Sequence, residues 1–273
     1  MVAILQEIFS RRNLLYELVM RDLKIRYARK SMGFLWTFLM PFATVITFYV
    51  IFCQILKVKI GEAPFFLYLM SGVFSWRFFH DSVAAATTCL TDNKKLVQEP
   101  AFPHYFIPLA ITLANVINFL PSLFITVVIS LFVSRGNVIF IFSLPFIICI
   151  HVCLTAGVAV IFSILYVRWR NVKYVVELFL FEALYTTPVF YSIYLIKATF
   201  PDIFFKIFLC NPFTGILNLY RIALLRGFYD MTKNDLSIFS LIIGPLVFTI
   251  GILILGYMLY ERHKTIINDY LSG

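Results

Sequence analysis

Charge is scarce in this chain. Only 14% of its 273 residues are charged and 61% are hydrophobic, a balance outside the range of soluble globular domains. Several signatures are also missing. There is no G-x-x-x-x-G-K-[ST] phosphate loop, so a nucleotide motor of that type must sit in another chain. H-E-x-x-H, G-x-S-x-G and paired acidic motifs for metal and phosphate are absent, which makes a membrane enzyme the weakest reading. The five cysteines, Cys53, Cys89, Cys149, Cys153 and Cys210, fall in or beside apolar runs without paired loop spacing. They are expected to be reduced and buried. Cys149, His151 and Cys153 are close on one helix, but no fourth ligand accompanies them and no metal is expected. The opening MVAILQEIFSRRNLLYELVMRD has neither a long hydrophobic core nor a small-residue cleavage site, and no cleaved signal peptide is expected.

What is present is length in apolar runs. A mean hydropathy of +0.90 and helical spans of ~20 residues predict an all-α integral membrane protein. Six spans are expected, at 34–56, 64–88, 106–134, 138–167, 174–196 and 236–260, within a single transmembrane domain covering 1–273. There is no room beside them for a separate soluble catalytic domain. Six is even, so both termini share a side. Placing 1–33, 89–105, 168–173 and the tail 261–273 in the cytoplasm assigns fourteen Lys and Arg to it. The two short loops opposite carry only Lys57, Lys59 and Arg135, as the positive-inside rule requires.

Three segments between or before the spans have more organisation than connectors need. Before the first span, Ile4, Ile8, Leu15, Leu18 and Val19 recur at helical spacing, with Glu7, Arg11, Glu17 and Arg21 between them. This predicts an amphipathic helix lying in the inner interface. It runs into a basic elbow of Arg21, Lys24, Arg26, Arg29 and Lys30, placed to steer an anionic lipid head group. After the second span, TDNKKLVQEPAFPHYFIPL offers Thr91 or Asp92 as a cap, a short polar helix, and Pro100 and Pro103 as stops. It is read as an exposed docking element. Between the fifth and sixth spans, 197–235 is apolar but broken at Asn211-Pro212. Pro212 suits the start of a helix and Gly227 an end needing positive φ. A re-entrant pair of helices on the outer face is expected, with the alternative that both lie flat on that surface.

Ionisable residues inside spans call for a partner or a polar path. Arg77 and Asp81, four apart, are expected to pair on one helix face. Glu177 lies near a span end, whereas Glu182 is deeper and has no sequence-local partner. An ion-coupled secondary transporter using Asp81, Glu182 and His80 is the chief alternative function. Against it, no inverted repeat relates the two halves, and the single broken segment has no counterpart in the first.

The ordered set RDLKIRYARKSMGFLWTFLMPF, LYLMSGVFSWRFF, NKKLVQEPAFPHYFIPL, VRWRNVKYVVE, TTPVFYS and NPFTGILNLYRIALLRG resembles the permease subunits of type-2 ABC exporters for polysaccharides and teichoic acids. The resemblance covers nearly the whole chain. Its loop departs from the family at Arg168-Trp169-Arg170-Asn171, where an Arg-Asp-like pair is usual. The resemblance implies a homodimer in the bacterial cytoplasmic (inner) membrane, with a separate ATPase beneath each copy. ATP and Mg would be bound by that partner, and this chain would hold no cofactor. The cargo would be a polyisoprenyl-pyrophosphate-linked glycan or polyol-phosphate polymer, O-antigen or teichoic acid rather than capsule. Asn93, Lys94, Lys95, Leu96 and Phe102 would couple to the ATPase. The five basic residues of the elbow would meet the pyrophosphate, and Asn211, Pro212 and Arg221 would belong to a re-entrant gate. Aromatic residues make 18% of the chain, and ring faces pack on sugars without fixing register. Trp36, Tyr49, Trp76, Tyr185, Phe190 and Tyr191 are the expected lining of the path.

Overall fold

The computed structural model describes residues 2–28, 36–57, 64–99, 101–134, 138–232 and 238–272. Among them there is no strand. The chain runs α1 (Val2–Ser10), α2 (Arg12–Tyr27), α3 (Trp36–Tyr49, continued as a wider π-helical turn, Val50–Ile55) and α4 (Phe65–Thr87). Two short helices, α5 (Cys89–Asp92) and α6 (Lys94–Val97), lead to α7 (Phe106–Ile129), which also widens at Ser130–Ser134. Next come α8 (Val138–Ile141), α9 (Leu144–Arg168), α10 (Val172–Thr186), α11 (Ile193–Thr199), α12 (Asp202–Cys210) and α13 (Pro212–Leu224). The chain ends with α14 (Phe228–Thr232) and α15 (Ile238–Ser272).

Among the described residues, three stretches, Phe106–Val133, Leu144–Arg168 and Ile238–Lys264, are both long and apolar enough to cross a membrane. The fold is that of an all-α integral membrane protein. α4, with 23 residues, is about 34 Å long at 1.5 Å per residue, but its interior carries Arg77, His80 and Asp81. It is the centre of the bundle, buried nearly all round, with α3, α7, α9, α10 and α13 packed on it. Outside the side that carries Arg77, His80 and Asp81 the helix is largely apolar, and such a surface is stable only when other helices cover it in this way. α9 and α15 pack along much of their length, with Gly157 at the contact. A Cβ there would meet Ile252 Cγ2 at 2.7 Å, the small-residue contact that lets membrane helices approach.

The structure revises several expected boundaries. The N-terminal amphipathic segment is two helices, because Arg11 leaves helical geometry (φ −105°, ψ 26°). Its side chain then reaches the Ala101 carbonyl at 3.0 Å. The fifth span is not continuous over 174–196. α10 stops at Thr186, since Pro188 lacks an N–H and pushes Thr187 into extended geometry (φ −99°, ψ 136°). The tail 261–273 is not a separate segment, because α15 continues through it to Ser272. Thr91 and Asp92 cap nothing; they lie inside α5, where the Thr88 hydroxyl donates to Asp92 at 2.5 Å.

α12 and α13 are bent by 83° at Asn211. Pro212 is the first residue of α13, the Asn211 side chain accepts from the Phe213 N–H at 3.0 Å, and its amide donates to Thr187 Oγ1 at 2.9 Å. The tip lies against the middle of α4, since Phe213 packs on Trp76 and Phe79 of α4 and on His151 of α9. α13 climbs from there to the end of α7, where Ser130 donates to the Leu224 carbonyl. Gly227 follows with φ +77°, the left-handed conformation a glycine adopts without strain.

Candidate functional site

α1, α2, α5 and α6 gather at one end of the bundle, around the start of α7 and the ends of α9 and α15. Leu15, Leu18 and Val19 of α2 are buried against Phe106, Ala110 and Ala114 of α7. Polar contacts then fix the register of α2. Arg21 donates to Asn93 Oδ1 at 2.6 Å, and Asn93 Nδ2 donates to the Cys89 carbonyl at 2.8 Å. α1 is tied down by Tyr105, which donates to Glu7 at 2.7 Å. Burial, then the Glu7 hydrogen bond, push the Tyr105 phenol far above its usual value, so it stays a protonated donor. Arg21, Asp92, Asn93, Lys94, Lys95, Leu96 and Gln98 line an open groove of about 610 Å³. Lys94 and Lys95 are exposed, while Leu96 and Phe102 are half-buried against the cores beneath.

A second cavity, of about 380 Å³, lies between α2, α3, α4 and α7. Its polar wall holds Arg26, Tyr27, Arg77, Asp81, Asn115 and Asn118. Arg26 donates to Asn115 Oδ1 at 2.5 Å and to Asp22 at 2.8 Å; Tyr27 donates to Asn118 Oδ1 at 2.5 Å. Arg77 meets Asp81 through Nε at 2.9 Å, and His80 Nδ1 lies 3.0 Å from the other oxygen of the same carboxylate. The predicted pair is therefore present, and it faces this cleft. Asp81 is shared between two side chains on its own helix, a structural neutralisation rather than an open relay. Glu177 lies 4.0 Å from Lys173, and Glu182 is exposed on α10.

The basic elbow thus divides. Arg21 belongs to the groove, Arg26 to the cleft, and Lys24 is exposed and lines neither; Arg29 and Lys30 lie outside the described residues. The aromatic set divides too. Trp76 and Phe190 are packed in the core, Trp76 against Phe79 and Phe213 and Phe190 stacked 3.9 Å from Phe48. Both are buried in the subunit interior and line neither of the two cavities. Tyr49 is half-buried, edge-on to Phe66, and Tyr191 is half-buried with its hydroxyl donating to the Tyr185 carbonyl. Tyr185 alone among these side chains is exposed; the Trp36 side chain lies outside the described residues. Asn211 and Pro212 form the tip of the bent pair, whereas Arg221 is fully buried. It stacks 3.5 Å over Tyr68 and donates to the Pro188 and Val189 carbonyls at 2.7 and 3.0 Å. The expected gate residue is thus an anchor holding the break after α10. Among the described residues no cluster of His, Cys, Asp and Glu could hold a metal. His151 points into a box of Phe78, Phe119 and Phe213 rings, away from the exposed Cys149.

Asn115, Asn118 and Tyr27 were not singled out in the sequence. The available signal was the pair of amides three residues apart in the otherwise apolar run of α7, where an uncompensated polar group is costly.

The chain is 26% identical to an O-antigen export system permease protein RfbA of Klebsiella pneumoniae, over 91% of this chain and 93% of that protein. It is 28% identical to a second protein of that name from the same organism, over 79% and 81% of the two chains. It is also 28% identical to one from Myxococcus xanthus, over 71% and 74%. This chain resembles the permease subunits of polysaccharide exporters. No family model matches it. The alignment with the first of these relatives extends over 251 residues, so the likeness takes in far more of the chain than either cavity.

Proposed function

We propose that this chain is the transmembrane subunit of an ATP-driven exporter carrying a lipid-linked polysaccharide of the O-antigen type, or a related polyol-phosphate polymer, across the bacterial cytoplasmic membrane. The observation that carries this reading is the similarity to O-antigen export permeases over 91% of the chain. The geometry supports it at two places. The groove at Asn93, with Lys94 and Lys95 exposed beside Arg21, is a docking surface with a rigid base, suited to a separate ATPase beneath the bundle. α10 buries only Val176 and Leu180 and leaves Tyr174, Leu178, Phe181 and Tyr185 exposed, an apolar face suited to a second copy of the chain across a translocation path.

In this reading the six spans are α3 with its π turn, α4, α7, α9, α10 and α15. Both termini are cytoplasmic, and α12–α13 enters and leaves from the outer face. ATP and Mg bind the partner, and movement there reaches the spans as rigid-body displacement through α6 and α2.

The test is co-expression with neighbouring genes, gentle purification and ATPase assay with lipid-linked glycan. A two-to-two complex whose hydrolysis the lipid stimulates is expected, and the pair Lys94→Glu and Lys95→Glu should weaken the ATPase association. Proton-driven transport by the chain without any nucleotide-binding partner would refute the reading.

A further inference from the structure

An apolar recess of about 500 Å³ lies between α4, α9, α10, the bent pair α12–α13 and α15. Its floor is Phe79, Leu154 and Phe213, all buried, and its rim is Phe179, Ile207 and Phe248, all exposed. None of the described residues that line it is charged. Its amide and hydroxyl side chains are already engaged. Thr186 donates to the Glu182 carbonyl at 3.2 Å, the Asn211 amide donates to Thr187 Oγ1 at 2.9 Å, and Asn211 Oδ1 accepts from the Phe213 N–H at 3.0 Å. An ordered water needs several polar partners, so a recess walled in this way stays dry. An ion would find no opposite charge there to offset its desolvation.

The position of the recess in the fold decides what fills it. Leu154, Val158 and Ile161 stand in the middle of Leu144–Arg168, and Phe248, Ile252 and Leu255 in the middle of Ile238–Lys264, two of the stretches able to cross a membrane. The exposed rim therefore faces hydrocarbon. A second copy seated on the exposed face of α10 would leave the recess uncovered. At 3.6 residues per turn, the lining residues Phe179, Ala183 and Thr186 lie roughly 135° round that helix from Tyr174, Leu178, Phe181 and Tyr185. Lipid tails are as apolar as leucine, so no hydrophobic gain draws one in. What holds a tail is dispersion contact with a recessed wall, and a recess left empty forfeits those contacts. We propose that the recess is a lipid site that holds one acyl chain of a bilayer phospholipid, packed between α10 and α15 against Pro212 and Phe213 at the bend. The site needs only that α9 and α15 span a bilayer, and so stands apart from the exporter reading.

Trp76 reports on the site, because it is 5% exposed yet its ring lies 5.6 and 5.7 Å from those of Phe79 and Phe213 in the wall. The full chain carrying Trp36→Phe and Trp169→Phe keeps it as the sole indole. The experiment compares Trp76 emission in vesicles of phosphatidylethanolamine and phosphatidylglycerol whose acyl chains are plain or brominated, since bromine quenches an indole only at short range. With the bilayer in large excess over the site, brominated chains should lower the emission at least about twofold. Ala183→Phe and Val158→Phe, which fill the recess from α10 and from α9, should each abolish most of that loss, whereas Leu120→Phe, exposed on α7, should leave it intact. Emission indifferent to bromine would overturn the site. If Ala183→Phe then also lowered the oligomeric mass in native mass spectrometry, the recess would belong to a second copy. Unchanged quenching in both filled variants, shown to be folded by circular dichroism, would equally overturn the site. Quenching that added polyprenol removes would overturn a phospholipid as the occupant.

Discussion

Replacing Arg221 with Ala should loosen the link between α10 and α11 more than any other part of the fold. The guanidinium is fully buried, donates to the Pro188 and Val189 carbonyls and lies 3.5 Å above the Tyr68 ring. Hydrogen bonds from a charged donor contribute about 1.5–3 kcal/mol each, and a desolvated cation–π contact about 2 kcal/mol. Against this stand the desolvation of the cation and its Nε and Nη1, buried without partners. A net loss of about 3 kcal/mol follows, which corresponds to roughly 10²-fold faster local opening. Hydrogen–deuterium exchange across 187–192 in detergent should show that increase, while α7 and α9 remain protected. Arg221→Met separates the causes, since it fills the volume without a donor. It should recover thermal stability relative to Ala but leave exchange in 187–192 fast. Unchanged exchange there in a folded Arg221→Met protein would refute the anchoring argument, and an Arg221→Lys variant equal to the parent would show that the planar fork is unnecessary.

Gly215→Ala should destabilise by about 1–3 kcal/mol through overpacking, because its Cβ would lie 2.4 Å from Pro245 Cγ and 2.9 Å from the Leu241 carbonyl. Gly244→Ala, with nothing within 4 Å of the new carbon, should be neutral or stabilising in the same thermal-unfolding assay. Asn211→Ala should cost about 1–2 kcal/mol of thermal stability as a lost cap, while Asn211→Asp, which keeps the acceptor for Phe213, should cost less. The raised Tyr105 phenol gives a pH dependence whose sign follows from linkage. Its contribution is complete below the unfolded phenol value of about 10 and is lost as pH rises towards the higher folded value. A spin label at Ser10 should therefore report release of α1 on alkaline titration, and Tyr105→Phe should show a mobile α1 at neutral pH; an immobile label in both would remove this contact as the tether.

The parts of this fold legible in the sequence were those governed by composition and by single residues with strong backbone preferences. Long apolar runs announced α7, α9 and α15, Asn211-Pro212 announced the bend, and the i,i+4 spacing of Arg77 and Asp81 announced their pairing. The break after α10 was missed although Pro188 was visible, because continuous hydrophobicity through 174–196 outweighed a local restriction that acts on one dihedral pair. The cleft was missed for a different reason. Its members come from four helices, and no local pattern states that Arg26 will meet Asn115 or Tyr27 will meet Asn118. The aromatic residues show a third limit: Trp76 and Phe190 have the composition of a surface for sugar but the burial of a core, and burial is decided by neighbours more than a hundred residues away.

The same helix, α2, connects the two cavities. Arg21 contacts the α5–α6 segment and Arg26 and Tyr27 contact α7, five and six residues further on, or about 8–9 Å along the axis. Between these contacts there is no proline, glycine or π turn at which a helix bends. A displacement of α6 that keeps the Arg21–Asn93 bond must therefore shift Arg26 and Tyr27 against Asn115 and Asn118, because the apolar contact of Leu15, Leu18 and Val19 with α7 permits sliding more readily than tilting away. A partner acting on the groove would thus change the donors that the cleft presents, and a ligand in the cleft would by linkage change affinity at the groove. Asn93→Ala severs the connection at one end without touching either lining arginine. Under the exporter reading it should leave the complex with the ATPase assembled while abolishing the effect of the lipid on ATP hydrolysis; stimulation that survives Asn93→Ala would mean that the coupling runs through α4 and not α2.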